Sequence, residues 1–168
     1  MIYLVGFMGS GKTFVGKALS EKMHWDFIDT DEAIEEKTHL SIKKIFSIYG
    51  ENTFRNYELG ILQKITKKKK IIIATGGGLP IYNNNMYTMN KTGTTIYLKC
   101  SLNKLFTRLK KEKATRPLIN NFSNNELKEF IQTELQNREK YYMKANHIIK
   151  IKNLNTEDIL SKINTYIL

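Results

Sequence analysis

The 168-residue sequence predicts a three-layer α/β domain on a parallel sheet, and two observations predict it. The first is a short apolar run, Met1 to Val5, which passes directly into Gly6-Phe7-Met8-Gly9-Ser10-Gly11-Lys12-Thr13 and then into the helix-like stretch Phe14 to Met23. That is a strand, the G-x-x-x-x-G-K-[ST] pattern of a phosphate loop, and a helix. The second is that strand-like and helix-like runs alternate along the whole chain. With right-handed crossovers, this alternation makes the sheet parallel and covers both of its faces with helices.

Each element has its own physical reason. In the phosphate loop the glycines let the backbone turn where a side chain would be strained, and they let amide N–H groups approach phosphate oxygens. The helix starting near Gly11 adds its unpaired N–H groups and its dipole. Lys12 is placed to reach the β- and γ-phosphates as a point charge, and the Thr13 hydroxyl to hold Mg²⁺. Trp25 to Asp29 reads as a second strand ending in Asp29-Thr30-Asp31, whose two carboxylates point to one side at the sheet edge where α/β folds bind ligands. One could hold Mg²⁺ and the other could meet a substrate hydroxyl. The alternative is capping, with Asp31 starting a helix from Glu32 to Lys37.

Ile42, Ile45, Phe46 and Tyr49 follow helical spacing, Gly50 punctuates, and a second helix begins near Glu51 with Phe54, Tyr57, Ile61, Leu62 and Ile65 on its apolar side. On its flank Arg55 and Glu58 are three residues apart, either an ordinary helical ion pair or an arginine aimed by a glutamate. Ile71 to Ala74 lacks alternation, as a central parallel strand should, and ends in Gly76-Gly77-Gly78. A tight turn accounts for one or two glycines there; three permit close backbone approach to a ligand. Thr94 to Leu98 is a fourth strand, and Ser101 opens a helix with Leu102, Leu105, Phe106 and Leu109 inward and Arg108 near its end. Residues 110–125 are charged, poor in apolar side chains and carry Arg116-Pro117-Leu118, so they are expected to move freely with nothing to hold them down. Ser123 with Glu126 is a capping box restarting a helix that buries Leu127, Phe130, Ile131, Leu135 and Tyr142 and carries Arg138. His147 to Ile151 is a fifth strand, and Thr156 is expected to cap a last helix through Ile159, Leu160, Ile163 and Ile167.

Composition narrows the function classes. The length fits one domain with a real core. No apolar stretch approaches a membrane span, and Met1 to Val5 is too short for a signal peptide. A single cysteine, Cys100, makes no internal disulfide and points to a reducing cytoplasm. His24, His39 and His147 follow no zinc pattern. The net charge of +11 suggests nucleic acid at first sight, but 23 of the 27 basic residues are lysine, and Lys67 to Lys70 precedes a strand where a solvated loop is the ordinary outcome. The four arginines, Arg55, Arg108, Arg116 and Arg138, are the informative exceptions, because only a guanidinium grips planar carboxylates and phosphates with two parallel hydrogen bonds.

Taken together, Gly-x-Met-Gly-x-Gly-Lys-Thr at 6 to 13, Asp29-Thr30-Asp31, Phe54-Arg55 with Glu58, Gly76-Gly77-Gly78, Arg116-Pro117-Leu118 and Arg138 followed by Tyr141 resemble, in order and spacing, the motif series of the shikimate kinases. The resemblance runs from Met1 to about Tyr142. It implies a single P-loop kinase domain with sheet order 2-3-1-4-5, a substrate-binding region near 30–62 and a lid near 110–125. It implies ATP-dependent phosphorylation of the shikimate 3-hydroxyl to shikimate 3-phosphate and ADP; from its composition the chain is expected in the cytoplasm, engaging neither nucleic acid nor membrane, and a monomer is expected. Its nucleotide set is Gly9, Ser10, Gly11, Lys12, Thr13, Phe14, Arg108 and Arg116, with one Mg²⁺ on Thr13 and Asp29. Arg108 resembles the arginine that packs on adenine, one residue out of the family's spacing from the lid arginine. The acceptor set is Asp31, Arg55, Gly76, Gly77, Gly78 and Arg138, with Phe46, Phe54, Glu58, Pro117 and Leu118 shaping the pocket; Lys12, Asp31 and Arg116 are the catalytic residues. The chain departs from the family in the 152–155 loop, which lacks the arginine and proline often found at the adenine edge. Two other readings stand beside this one. A gluconate-kinase-like enzyme of the same fold gives no reason for Asp31, Arg55 and Arg138 together with three glycines. A non-catalytic P-loop protein binding nucleic acid would set exposed aromatics among its basic residues, whereas the aromatics here fall mostly on apolar helix faces.

Overall fold

A computed structural model describes residues 1–116, 118–152 and 154–167, the side chain of Thr115 excepted. Five parallel strands, β1 (Ile2–Val5), β2 (Asp26–Asp29), β3 (Ile71–Ala74), β4 (Thr94–Cys100) and β5 (His147–Ile151), form one sheet in the order β2-β3-β1-β4-β5. The helices are α1 (Lys12–Met23), α2 (Thr30–Thr38), α3 (Ile42–Ile65), α4 (Asn85–Thr92), α5 (Leu102–Lys111), α6 (Asn124–Tyr142) and α7 (Thr156–Ile167). Every residue of β1 and β3 is buried, which explains their unbroken apolar runs. Each such isoleucine or leucine contributes about 1.5–3 kcal/mol by leaving water.

Register places the motifs. Leu4 lies beside Ala74, and Ala74 beside Asp29, so β1, β3 and β2 end at one level. The phosphate loop, the three glycines and Asp29-Thr30-Asp31 therefore emerge side by side at the C-terminal edge, next to the strand where the sheet reverses its order of growth.

Several expectations change. The helical cap at the end of β2 is Asp29, whose Oδ1 accepts from the Asp31 backbone N–H at 3.0 Å; Asp31 stands in the first turn of α2. The last helix is capped by Asn155, not Thr156: Asn155 Oδ1 accepts from Asp158 N at 2.8 Å, and Asp158 Oδ2 from Asn155 N at 3.1 Å. The two expected helices on either side of Gly50 join as α3, broken only at that glycine (φ 75°, ψ 174°), and Tyr49, expected on the inner face, is exposed. Helix α4 has no sequence prediction behind it. Its Asn and Thr residues are poor helix formers, and packing of Met86 and Met89 with the Asn85 side chain donating to the Leu79 carbonyl at 3.0 Å holds it instead. Finally, the 110–125 stretch is anchored at its far end. Ile119 is fully buried, and Phe122 meets Phe130 edge-on at 5.4 Å, so this end of the stretch is held to the core, against the expectation that nothing holds it down.

Candidate active site

A cavity of about 390 Å³ opens at the C-terminal edge of the sheet, lined by the phosphate loop, Asp29, Asp31, Thr75 and Gly77, with Arg108, Glu112 and Arg116 on its far wall. Gly9, Gly11, Lys12, Thr13 and Phe14 all face it; Ser10 is buried in the loop, and its hydroxyl has no hydrogen-bond partner among the described residues. Gly9 and Gly11 have φ of 75° and 94°, the left-handed turns that let the loop present its amides ahead of α1. The Lys12 ammonium donates to the Gly6 and Phe7 carbonyls at 2.9 and 3.0 Å, which braces it across the loop. Burial pulls its pKa down to about 8, with Asp31 and Asp29 opposing. Thr13 Oγ1 donates to Asp29 Oδ2 at 2.7 Å, bringing together a hydroxyl and a carboxylate, the hard oxygen donors a magnesium ion takes. Arg108 Nη1 donates to the Gly9 carbonyl at 2.9 Å, and Arg116 grips Glu112.

Beside this cavity lies a second set of groups arranged around the three glycines. A Cβ on Gly76 would collide with Asp31 Oδ1 and lie 3.2 Å from Glu58 Oε1; one on Gly77 would lie 3.6 Å from Arg138 Nη1; one on Gly78 would lie 2.5 Å from Arg55 Nη1. Gly76 and Gly78 thus leave room for the heads of Asp31 and Arg55, while Arg138 lies at ordinary contact distance from Gly77. Tyr142 fixes the loop by donating to the Gly77 carbonyl at 2.6 Å, and Thr30 Oγ1 accepts from Gly76 N at 2.8 Å. Burial, and after it the charge of Asp29, pushes Asp31 up to about 6. Burial also pushes Glu58 up to about 7 against the pull of Arg55, which it meets at 2.6 Å; its other oxygen has no hydrogen-bond partner among the described residues. Arg55 is further held by Glu51 at 2.8 Å and by the Tyr82 ring 3.9 Å from its guanidinium carbon. Phe54, 5.2 Å from that guanidinium, packs on Phe46 at 4.7 Å. Arg138 pairs with Glu134 and lies over Phe7.

The same pattern of residues matches the family model described as shikimate kinase over residues 8–167. The chain belongs to the shikimate kinase family. A shikimate kinase from Clostridium botulinum (strain Kyoto / Type A2) is 46% identical over 166 residues, 98% of this chain and 95% of the relative. Among solved structures, shikimate kinase from Bacteroides thetaiotaomicron superposes with a TM-score of 0.93 at 34% identity, covering 99% of this chain and 97% of that one. The Acinetobacter baumannii shikimate kinase solved in complex with shikimate gives 0.89 at 34% identity, covering 99% and 91%. A gluconokinase from Sinorhizobium meliloti shares the fold alone, with a TM-score of 0.58 at 16% identity, covering 99% and 95%.

Within the family's motif set, one residue falls differently from the resemblance: Leu118 is 69% exposed and does not line the cavity. Pro117 lies outside the described residues, as does Asn153 of the 152–155 loop. Sequence reasoning also missed Glu51, Tyr82, Glu112 and Glu134. Tyr82 follows no periodic pattern, but the glutamates were visible as E-x-x-x-R spacings ahead of three arginines.

Proposed function

We propose that this chain transfers the γ-phosphoryl group of ATP to the 3-hydroxyl of shikimate, giving shikimate 3-phosphate and ADP. The observation that carries the reading is the three-glycine loop, where Asp31, Arg138 and Arg55 each approach a different glycine beside the phosphate-loop cavity. A carboxylated ring bearing hydroxyls matches that arrangement: two guanidiniums for the carboxylate, one carboxylate for the reacting hydroxyl, and backbone N–H groups of Gly77 and Gly78 between them.

In this reading Lys12, the loop amides and the α1 N-terminus hold the ATP phosphates, with Gly9, Ser10, Gly11, Phe14 and Arg108 completing that side. Thr13 and Asp29 suit one Mg²⁺, which when bound neutralises phosphate charge. Arg55 and Arg138 orient the acceptor, walled by Phe46, Phe54 and Glu58. Asp31, ionised above about pH 6, takes the hydroxyl proton as the new O–P bond forms. The bond to the bridging oxygen breaks, and ADP departs with that electron pair. Arg116 supplies charge to the transferred group when the 110–125 segment closes, which also excludes water. The proposed working unit is a monomer, and the single cysteine fits a cytoplasmic setting.

A coupled ADP-release assay with shikimate, with gluconate and with no acceptor tests this. ADP release that depends on shikimate alone is the expected result; equal rates with gluconate would move the chain to the other kinase class.

A further inference from the structure

Three of the four arginines carry a glutamate four residues earlier: Glu51 before Arg55, Glu112 before Arg116 and Glu134 before Arg138, and in each pair the carboxylate binds the guanidinium. Arg108 has Lys104 at that place and reaches the Gly9 carbonyl instead. The glutamates therefore accompany the three arginines assigned to substrate anions and not the one lodged against the loop backbone.

We propose that Glu51, Glu112 and Glu134 are positioning residues, internal carboxylates that occupy one edge of each guanidinium and leave the opposite edge presented to the acceptor carboxylate or the γ-phosphate. Donor counting at Arg55 carries the inference. Nε and Nη2 donate to Glu51 Oε1 at 3.1 and 2.8 Å, and Nη1 to Glu58 Oε2 at 2.6 Å. A guanidinium has five N–H groups, so one is left on each terminal nitrogen for an incoming carboxylate. Those two nitrogens are the first atoms that a Cβ on Gly78 would meet, at 2.5 and 3.0 Å. Glu51 is itself held, since the Tyr82 hydroxyl donates to Oε1 at 2.9 Å while the Tyr82 ring supports the guanidinium. Arg116 repeats the edge, with Nε and Nη2 on Glu112 Oε2 at 2.8 and 2.6 Å, and Arg138 gives Nη2 to Glu134.

The sign of the effect separates positioning from plain electrostatics. A glutamate near an anion site repels the incoming anion, so through its field alone its neutralisation would tighten binding. A glutamate that sets the fork weakens binding when neutralised. The inference rests on the arginine roles proposed above, so Arg55→Lys is measured alongside.

Glu51→Gln, Glu112→Gln and Glu134→Gln are assayed with ATP and shikimate varied independently. Glu51→Gln and Glu134→Gln are expected to raise the shikimate KM by about threefold with the ATP KM unchanged, and Glu112→Gln to lower kcat by about threefold with the shikimate KM unchanged. Melting temperatures within about 4 °C of the parent show that the effect is not on folding, because exposed pairs of this spacing add little stability. A shikimate KM that stays constant or falls in Glu51→Gln or Glu134→Gln, or an unchanged kcat in Glu112→Gln, overturns the inference. If Arg55→Lys raises the shikimate KM in that case, only the positioning role fails; if it too leaves the KM unchanged, the arginine assignment fails with it.

Discussion

On the nucleotide side of the cleft most of the groups come from one unbroken stretch, Gly6 to Phe14, with Asp29, Arg108 and Arg116 added from elsewhere, and many are backbone atoms; even Lys12 is braced by carbonyls of its own loop. On the acceptor side Asp31, Arg55, Gly76 to Gly78 and Arg138 come from four distant stretches, and the two guanidinium heads are held by other side chains: Arg55 by Glu51, Glu58 and Tyr82, Arg138 by Glu134. A site built from backbone is specified by where glycine is required and by one or two side chains. A site built from side chains depends on its neighbours, so substitutions there are expected to couple.

The largest effect should break the nucleotide side at its one ammonium. Lys12→Ala is expected to lower kcat by ~10³ or more, since removing a preorganised charge at developing negative charge costs on the order of 10²–10³ or beyond. Turnover within tenfold of the parent would mean that the loop amides suffice alone.

Next in size is Asp31→Asn, expected to reduce kcat by on the order of 10². It also has a pH signature. Asp31 is pushed up to about 6 and Lys12 pulled down to about 8, so kcat/KM should rise through about pH 6 as Asp31 loses its proton and fall above about pH 8 as Lys12 loses its charge. The acid limb should vanish in Asp31→Asn and the alkaline limb persist. An acid limb that survives would shift the base to Glu58, which burial holds near 7.

A smaller change should sharpen the contrast between the halves. Gly78→Ala sets a Cβ 2.5 Å from Arg55 Nη1, and the clamped guanidinium has little freedom to retreat. The expected outcome is a rise of about tenfold in the shikimate KM with the ATP KM unchanged, the scale of a modest misplacement in a positioned site. Equal rises in both KM values would show that the two halves share one rigid frame.

The smallest expected effect is in amide exchange of the closing segment. Residues 112–116 should exchange quickly in the free enzyme and slow with a nucleotide analogue plus shikimate, while Ile119 to Phe122 should be protected throughout. Protection of 112–116 without ligand would make the segment a fixed wall.

Much of this was legible in the chain because it is local. The phosphate loop is a backbone turn, written in eight adjacent residues, and the buried strands Ile2–Val5 and Ile71–Ala74 are written as runs without alternation. The capping box at Ser123 and Glu126 is equally local, and both of its hydrogen bonds form. The cap of the last helix falls on Asn155, one residue before the expected Thr156, and of the two carboxylates after β2 it is Asp29 that caps, since several neighbouring polar residues can serve and final geometry selects among them. Helix α4 was invisible because Asn and Thr at its start and end disfavour helix, and only Met86 and Met89 reaching the core reverse that preference. Ile119 looked like one apolar residue in a polar stretch, and nothing near it in sequence tells that the core receives it.

By itself the sequence determined a parallel α/β domain with a phosphate loop at the end of its first strand, and it supplied the charged residues that the acceptor half would draw on, because turns, strands and helix periods are decided by neighbours along the chain. Only the tertiary structure decided which charged heads meet at the three glycines, which edge of Arg55 stays open and how far the Asp31 and Glu58 carboxyls are driven upward. Those properties follow from desolvation and from contacts between distant segments, and neither exists until β1, β2 and β3 end at the same level.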